Sequence, residues 1–244
     1  MKKLLALLMS LLMVMALVGC TKTEPTVEPT PDPDPEPIGE VAGGWTIYED
    51  ETVAQITPEA QAALDKALEG YTGAGFTPIA LLGTQVVAGT NYEILCKETL
   101  VTATPVTKLA VVVVYEDLDK NATITAVHDI DLGELKDKDS SNPDTYGIPG
   151  GWTINPDLTT VNLPADAAKA FSAVTEGLLG ATYQPIALLG TQVVAGTNYA
   201  ILATQTMVTA EPVTYVGVMY IYAGVDGTNE MLNFAVLDLA DYNN

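Results

Sequence analysis

The sequence predicts an α+β fold of two tandem domains, each with one N-terminal helix packed on a four- to five-stranded antiparallel sheet. Three observations lead to this prediction. Residues 78–92 return without a change as residues 185–199, at an offset of 107 positions. Each copy is preceded by a segment whose apolar residues recur with helical spacing. Each copy is itself strand-like and is followed by further apolar runs between short loops, so the chain contains one structural unit twice.

The start of the chain predicts export. Lys2 and Lys3 precede an apolar stretch at residues 4–18, which has the length of a signal peptide and is short for a membrane span. The next residues, Leu-Val-Gly-Cys ending at Cys20, resemble the lipobox of bacterial lipoproteins. This resemblance implies that residues 1–19 are removed and that Cys20 is acylated. An ordinary signal peptide followed by an unmodified cysteine is the alternative.

Residues 20–42 predict an acidic, proline-rich stalk. Glu-Pro, Asp-Pro and Thr-Pro pairs follow one another here, and such pairs favour an extended polyproline-like spacer. We therefore expect an exported protein that a lipid on Cys20 anchors to the bacterial cell envelope, on its extracytoplasmic side.

Composition excludes a nucleic-acid partner and a disulfide within a domain. The chain has 10 Lys and Arg residues, all of them Lys, against 31 Asp and Glu. Nucleic-acid binding needs a dense basic surface, so no nucleic-acid partner is expected. Beyond Cys20 only Cys96 remains, which rules out a disulfide within either domain, and we interpret Cys96 as a small buried thiol. We expect no cofactor and no metal ion.

The two copies define two domains and a linker. The first domain covers residues 43–133 and the second covers residues 150–244, with a charged linker rich in Ser, Asn, Asp and Pro at residues 134–149. In the first domain Thr57 as a cap and Pro58 in the first turn predict the start of a helix. Four strands are expected after the helix, and the first two form the hairpin within the repeated stretch.

This hairpin has an apolar turn. Its residues are Gln85, Val86, Val87, Ala88 and Gly89, which return as Gln192, Val193, Val194, Ala195 and Gly196. The glycine supplies the positive φ of a tight turn, but Asn or Asp would be more usual than Val-Val-Ala at an exposed tip. An exposed apolar tip indicates a binding site. The alternative is a turn that only sets the strand register.

The turn also matches the Gln-x-Val-x-Gly signature of cystatins, and the order of elements resembles the disulfide-free stefin branch of that superfamily. A glycine pair precedes each repeat: Gly43 and Gly44 in the first, Gly150 and Gly151 in the second. In cystatins the glycine segment and two hairpin loops plug the cleft of papain-like cysteine proteases. The resemblance therefore implies a reversible, wedge-type inhibitor of such proteases, from a host or from the same cell. It also implies that both glycine pairs and both turns contact the protease.

One part departs from the cystatin pattern. The second hairpin loop is highly charged at residues 116–121 and small at residues 223–227, so we expect a weak third contact. Trp45 and Trp152 follow the glycine pairs and are candidates either for aromatic anchors or for covers of the core.

A binding role is favoured over an enzymatic one. His128 is the only histidine, and Ala235 stands at the corresponding place in the second repeat, so a histidine-based triad is not expected. We therefore expect no enzyme activity, and a monomer that binds a protease. The alternative function is a non-inhibitory surface-binding or adhesion module with the same domains.

Overall fold

The computed structural model describes residues 44–48, 54–133, 151–158, 163–237 and 239. The predicted signal peptide, Cys20, the stalk and the linker lie outside these residues, as do Gly43 and Gly150. Within the described part of the chain, no helix is both long and apolar enough to cross a membrane.

Each repeat consists of a short strand, a helix and four longer strands. The first repeat comprises β1 (Trp45–Ile47), α1 (Pro58–Ala67), β2 (Ala74–Val87), β3 (Gly89–Leu100), β4 (Val106–Glu116) and β5 (Ala122–Ile130). The second comprises β6 (Thr153–Ile154), α2 (Ala165–Thr175), β7 (Ala181–Val194), β8 (Gly196–Met207), β9 (Thr214–Gly224) and β10 (Asn229–Val236). Neighbouring strands pair antiparallel in chain order, which gives a first sheet of β1 to β5 and a second sheet of β6 to β10.

The two helices start differently. The hydroxyl of Thr57 accepts a hydrogen bond from the Ala60 backbone nitrogen at 3.2 Å, and Pro58 follows as the first helical residue. The predicted start of α1 is therefore confirmed. α2 follows Pro164, which offers no side-chain cap. Its first backbone N–H groups thus lack the cap that stabilises α1.

Both faces of each sheet are covered. On β4, Val112 and Val114 pack against α1, whereas Leu109 and Val111 belong to the core between the two sheets. All four side chains are fully buried. Burial on both faces explains why β4 is a continuous apolar run instead of an alternating one. The described residues therefore stack in four layers, helix, sheet, sheet and helix.

The two repeats share the core between the sheets. One continuous cluster contains side chains of both repeats, among them Ile79, Leu82, Leu95, Ile186, Leu189 and Tyr220. The described residues of both repeats also belong to one compact unit. The sequence left the packing of the repeats open, and the structure shows that they pack face to face. The predicted domain boundaries stay a prediction.

The predicted fold class is wrong. The described residues form two five-stranded antiparallel sheets and only two helices, of 10 and 11 residues, so the protein is mainly antiparallel β and not α+β. Each repeat also begins with a strand, β1 or β6, instead of an N-terminal helix. The expectation failed because helical spacing identifies a helix but does not reveal that the opposite sheet face is covered by a second sheet.

A reciprocal contact joins the repeats. Leu132 follows β5, and Leu239 follows β10 at the equivalent position. The Cδ1 of Leu132 lies 2.7 Å from where a Cβ on Gly190 would be, and the Cδ1 of Leu239 lies 3.2 Å from the corresponding point on Gly83. Each leucine is about 95% buried. Each repeat thus places a leucine in a space that a glycine of the other repeat leaves open.

Candidate functional site

The repeated hairpins end in very tight turns, which we call the first tip (residues 85–89) and the second tip (residues 192–196). Val87 pairs with Gly89, so that Ala88 alone forms the turn. Gly89 has a φ of 135° and Gly196 a φ of 145°, which confirms the predicted positive φ. A Cβ on Gly89 would also overlap the carbonyl oxygen of Glu116 on β4. Glycine is therefore required here by the fold itself.

A pair of side chains bridges the strands below each tip. The Nδ2 of Asn91 donates a hydrogen bond to Oε1 of Gln85 at 2.7 Å, and Asn198 donates to Gln192 in the same way at 2.8 Å. Gln192 is buried and Gln85 is half-buried. The glutamines of the motif thus brace the hairpin, whereas the sequence suggested that they contact a protease.

A tyrosine of the neighbouring strand holds each turn. The hydroxyl of Tyr115 donates to the carbonyl oxygen of Ala88 at 2.7 Å, and the hydroxyl of Tyr222 donates to that of Ala195 at 2.8 Å. Neither tyrosine was predicted as part of the site from the sequence. Their signal was present, because they stand at the same position of the two repeats although they lie outside the identical stretch.

The tips expose aliphatic side chains. Val86 and Val87 are 44% and 42% exposed, and Val193 is 74% exposed. Ala88 and Ala195 at the turns are exposed as well, while Val194 is half-buried. The predicted apolar tips therefore do reach the surface.

The glycine segments run beside the tips. Trp45 pairs with Gln85, so the exposed Gly44 lies next to the first tip. In the second repeat Thr153 pairs with Thr191, and the exposed Gly151 stands two residues before Thr153 on the side of the second tip.

The two tryptophans cover the core. Trp45 and Trp152 are half-buried and pack against the cluster between the sheets. The Trp152 ring meets the Tyr220 ring edge-on, with 5.5 Å between centroids. The sequence suggested that the tryptophans either anchor a partner or cover the core, and their packing favours the second role.

The second hairpin loops lie beside the tips at the same end of each sheet. Thr90 pairs with Glu116, and Gly196 pairs with Gly224, so the loops at residues 117–121 and 225–228 adjoin the first and second tips. Each loop exposes one aliphatic side chain, Leu118 at 81% and Val225 at 91%. These two residues were not predicted as site residues, although each is the lone large aliphatic residue of a polar or small loop.

Hydrogen bonds fix the charged loop of the first repeat. One carboxylate oxygen of Asp117 accepts from the backbone nitrogens of Asp119 and Asn121 at 2.8 and 2.9 Å. The hydrogen bonds from Asn121 lower the pKa of Asp117 below its usual value. Lys120 donates to the buried Glu116 at 2.8 Å. This loop is therefore ordered and remains acidic at neutral pH.

Three segments therefore meet at one end of each sheet. We call Gly44, the first tip and Leu118 the first ridge, and we call Gly151, the second tip and Val225 the second ridge. Each ridge combines exposed aliphatic side chains with a backbone held by hydrogen bonds.

Cys96 and His128, the candidate nucleophile and the one histidine, lie apart in the first sheet. Cys96 lies in the cluster under α1, where burial raises the pKa of its thiol. His128 pairs with Val111, whose side chain faces the core between the sheets. Paired residues of an antiparallel sheet share a face, so the imidazole and the thiol lie on opposite faces. In the described part of the chain, no group of His, Cys, Asp and Glu is arranged to hold a metal ion.

No family model matches the chain, and neither a curated protein nor a solved structure matches it. The resemblance to cystatins therefore rests on the motifs of the chain itself.

Proposed function

We propose that this protein is a reversible inhibitor that inserts its ridges into the active-site cleft of papain-like cysteine proteases. The observation that carries the proposal is the arrangement of each ridge, in which an exposed apolar tip lies between a glycine segment and a second loop with one exposed aliphatic side chain. The Gln-Val-Val-Ala-Gly turn resembles the cystatin signature, and this resemblance indicates papain-like cysteine proteases as the target class.

The bracing of the tip supports inhibition without cleavage. A protease cleaves a peptide that lies extended across its catalytic cysteine. The Ala88 carbonyl is held by Tyr115, and the two strands are tied by Gln85 and Asn91, so the tip resists this extension. A tip that is already ordered also loses little conformational entropy when it binds.

The exposed aliphatic side chains supply only part of the affinity. Burial of an exposed valine or leucine contributes roughly 1.5–3 kcal/mol at most, and the tip valines of the first ridge are already partly buried. Nanomolar binding corresponds to about 12 kcal/mol, so backbone contacts of the glycine segments must contribute the rest. Gly44 and Gly151 have no side chain that would keep the cleft away from their backbone.

The proposal includes the location of the protein. Acylation of Cys20 and a proline-rich stalk at residues 20–42 would hold the ridges outside the cell membrane, where they meet proteases of a host or of the same cell. Cleavage of the signal peptide removes Lys2 and Lys3, which makes the exported chain still more acidic than the net charge of −21 of the whole sequence.

The test is inhibition of papain by the chain from residue 21 onward, compared with two double variants. Val87→Asp with Val193→Asp places one charge on each tip. Leu232→Asp with Val236→Asp adds the same two charges to exposed positions of β10, which lies at the edge of the second sheet. We expect the tip variant to raise the inhibition constant about 30-fold or more, which is about 2 kcal/mol, and the β10 variant to leave it unchanged. Lack of inhibition by the unmodified chain would refute the proposal.

A second candidate is a surface-binding module that uses the ridges without blocking a protease. It is favoured by the structural roles of the signature, because Gln192 is buried and Gly89 is required by the fold. This candidate predicts that the chain leaves papain active, while the tip valines remain essential for adhesion to another protein.

A further inference from the structure

The packing of the two sheets fixes the directions in which the ridges point. Leu132 lies beyond the end of β5 that is remote from the first tip, and it contacts Gly190, which is close to the second tip. The equivalent contact joins Leu239, beyond the remote end of β10, to Gly83 near the first tip. The tip end of each sheet thus lies over the remote end of the other sheet.

The residues that line a groove between the sheets indicate the same relative orientation of the two sheets. It has a volume of about 540 Å³ and is lined by Thr107 and Leu109, at the start of β4, together with Gly151 of the second ridge and the adjacent Trp152. Residues 107–109 are at the end of the first sheet that is remote from the first tip. Lys97, from the remote half of β3, also donates to the Pro156 carbonyl of the second repeat at 3.4 Å. The two sheets therefore run in opposite directions.

We infer that the two ridges lie at opposite ends of the protein and bind two protease molecules at once. This inference rests on the proposed function and adds the number and placement of the partners. The strands β2 and β7, with 14 residues each, span about 45 Å at about 3.3 Å per residue, so the tips are separated by a distance of that order.

Two partners fit without collision. A globular partner of about 200 residues has a radius of gyration of about 16–17 Å. Because the ridges point away from each other, a protease on one ridge leaves the other ridge open. The protein is then a bivalent connector that joins two proteases end to end. Both ridges are accessible, so neither is blocked by the packing of the repeats.

The ridges also differ in the clefts that they suit. The loop beside the first tip carries Asp117 and Asp119, while its Lys120 is paired with Glu116 at 2.8 Å. The loop beside the second tip carries Asp226 as its one charged residue, next to the exposed Val225. The first ridge therefore suits a cleft with a basic rim, and the second suits a more apolar rim.

The experiment measures the mass of the complex by light scattering during size-exclusion chromatography. The probe is papain whose catalytic cysteine carries a methylthio group, which prevents cleavage, in excess over the chain from residue 21 onward. We expect two papain molecules per chain. With free papain held above the inhibition constant of the unmodified chain and below that of the tip variants, Val87→Asp and Val193→Asp should each reduce the number to one, and together to none. Under the same condition Leu232→Asp with Val236→Asp should keep it at two.

The outcomes separate the two proposals. One papain molecule per unmodified chain would overturn bivalence and leave the proposed function in place. Bivalence through two ridges would also be overturned, with the proposed function left in place, if substitution of a single tip removed both papain molecules. No complex at all, together with no inhibition of active papain, would overturn the proposed function and with it the bivalent arrangement.

Discussion

The two repeats share the parts of the ridge and differ in much of what surrounds it. Residues 78–92 are identical to residues 185–199, and the bracing tyrosines outside this stretch, Tyr115 and Tyr222, also match. A charged cluster of the first sheet has no such match. Its members Glu98, Lys108 and Asp129 correspond to Gln205, Tyr215 and Val236 of the second sheet. The comparison teaches that one geometry of the tip is compatible with quite different sheet surfaces.

The repeats differ also in how closely they fit at equivalent contacts. Thr57 caps α1, whereas Pro164 offers no side-chain cap to α2. Gly190 leaves less room than Gly83 for a leucine of the other repeat. The two repeats are thus only approximately equivalent, and the following substitutions test where the equivalence holds.

The largest expected effect comes from the reciprocal leucines. Leu132→Ala and Leu239→Ala should each lower the free energy of unfolding by about 2–4 kcal/mol, because each removes a buried side chain from the shared core. Urea denaturation followed by circular dichroism measures this. Leu118→Ala, at an exposed position, should stay within about 0.5 kcal/mol of the unmodified chain. Destabilisation of only one of these two variants would contradict the prediction that the two leucine contacts are equivalent.

The glycines that face these leucines leave different amounts of room for a side chain. A Cβ on Gly190 would lie 2.7 Å from Leu132 and 2.8 Å from the Thr153 carbonyl, whereas the closest atom to a Cβ on Gly83 is 3.1 Å away. Gly190→Ala should therefore lower the free energy of unfolding by about 2–3 kcal/mol and Gly83→Ala by about 1 kcal/mol. Equal losses in urea denaturation would contradict the difference in fit.

The bracing tyrosines should behave alike. Tyr115→Phe and Tyr222→Phe each remove one hydrogen bond to a tip carbonyl, at a cost of about 0.5–1.5 kcal/mol in unfolding free energy. The variants should also be cut faster at the affected tip by active papain, which mass spectrometry of the fragments detects. An unchanged cleavage rate in both variants would show that the hydroxyl bond does not protect the turn.

The smallest effect concerns pH and only the first repeat. Burial, followed by the nearby Asp129, raises the pKa of Glu98. The folded state thus holds this proton more tightly, so the contribution of Glu98 to stability is fully present below its unfolded pKa of about 4.3 and is lost as pH rises through the raised pKa. Glu98→Gln should raise the melting temperature by about 1–3 °C at pH 7 and change it little at pH 4. Gln205 already occupies the corresponding place, and Gln205→Ala serves as the control without this pH dependence.

Local features were predictable from the sequence. The cap at Thr57 and the positive φ of Gly89 and Gly196 follow from residue chemistry within a few positions. The exposure of Val86 and Val87 followed from the same local view, because a tight turn has to face solvent or a partner.

The packing of the sheets was not predictable in this way. The run at residues 109–114 alternates between α1 and the second sheet, but its sequence reads as uniformly apolar. Such a run indicates burial on both faces of the strand but does not identify which element covers each face. The burial of Gln192 and the exposure of Leu118 depend on neighbouring strands that are distant in the sequence, so local pattern could not identify them.

The shared core has a consequence for how the protein is made. At about 5–20 residues per second, the second sheet follows the first by about 5–20 s, and during that time the apolar face of the first sheet has no cover. Two growing chains that meet in this interval can cover each other's sheets, since the second sheet of either chain offers the same leucine and glycine contacts. Exchange of whole repeats between chains is therefore the characteristic assembly error of this architecture, and its product would be a dimer with every ridge intact.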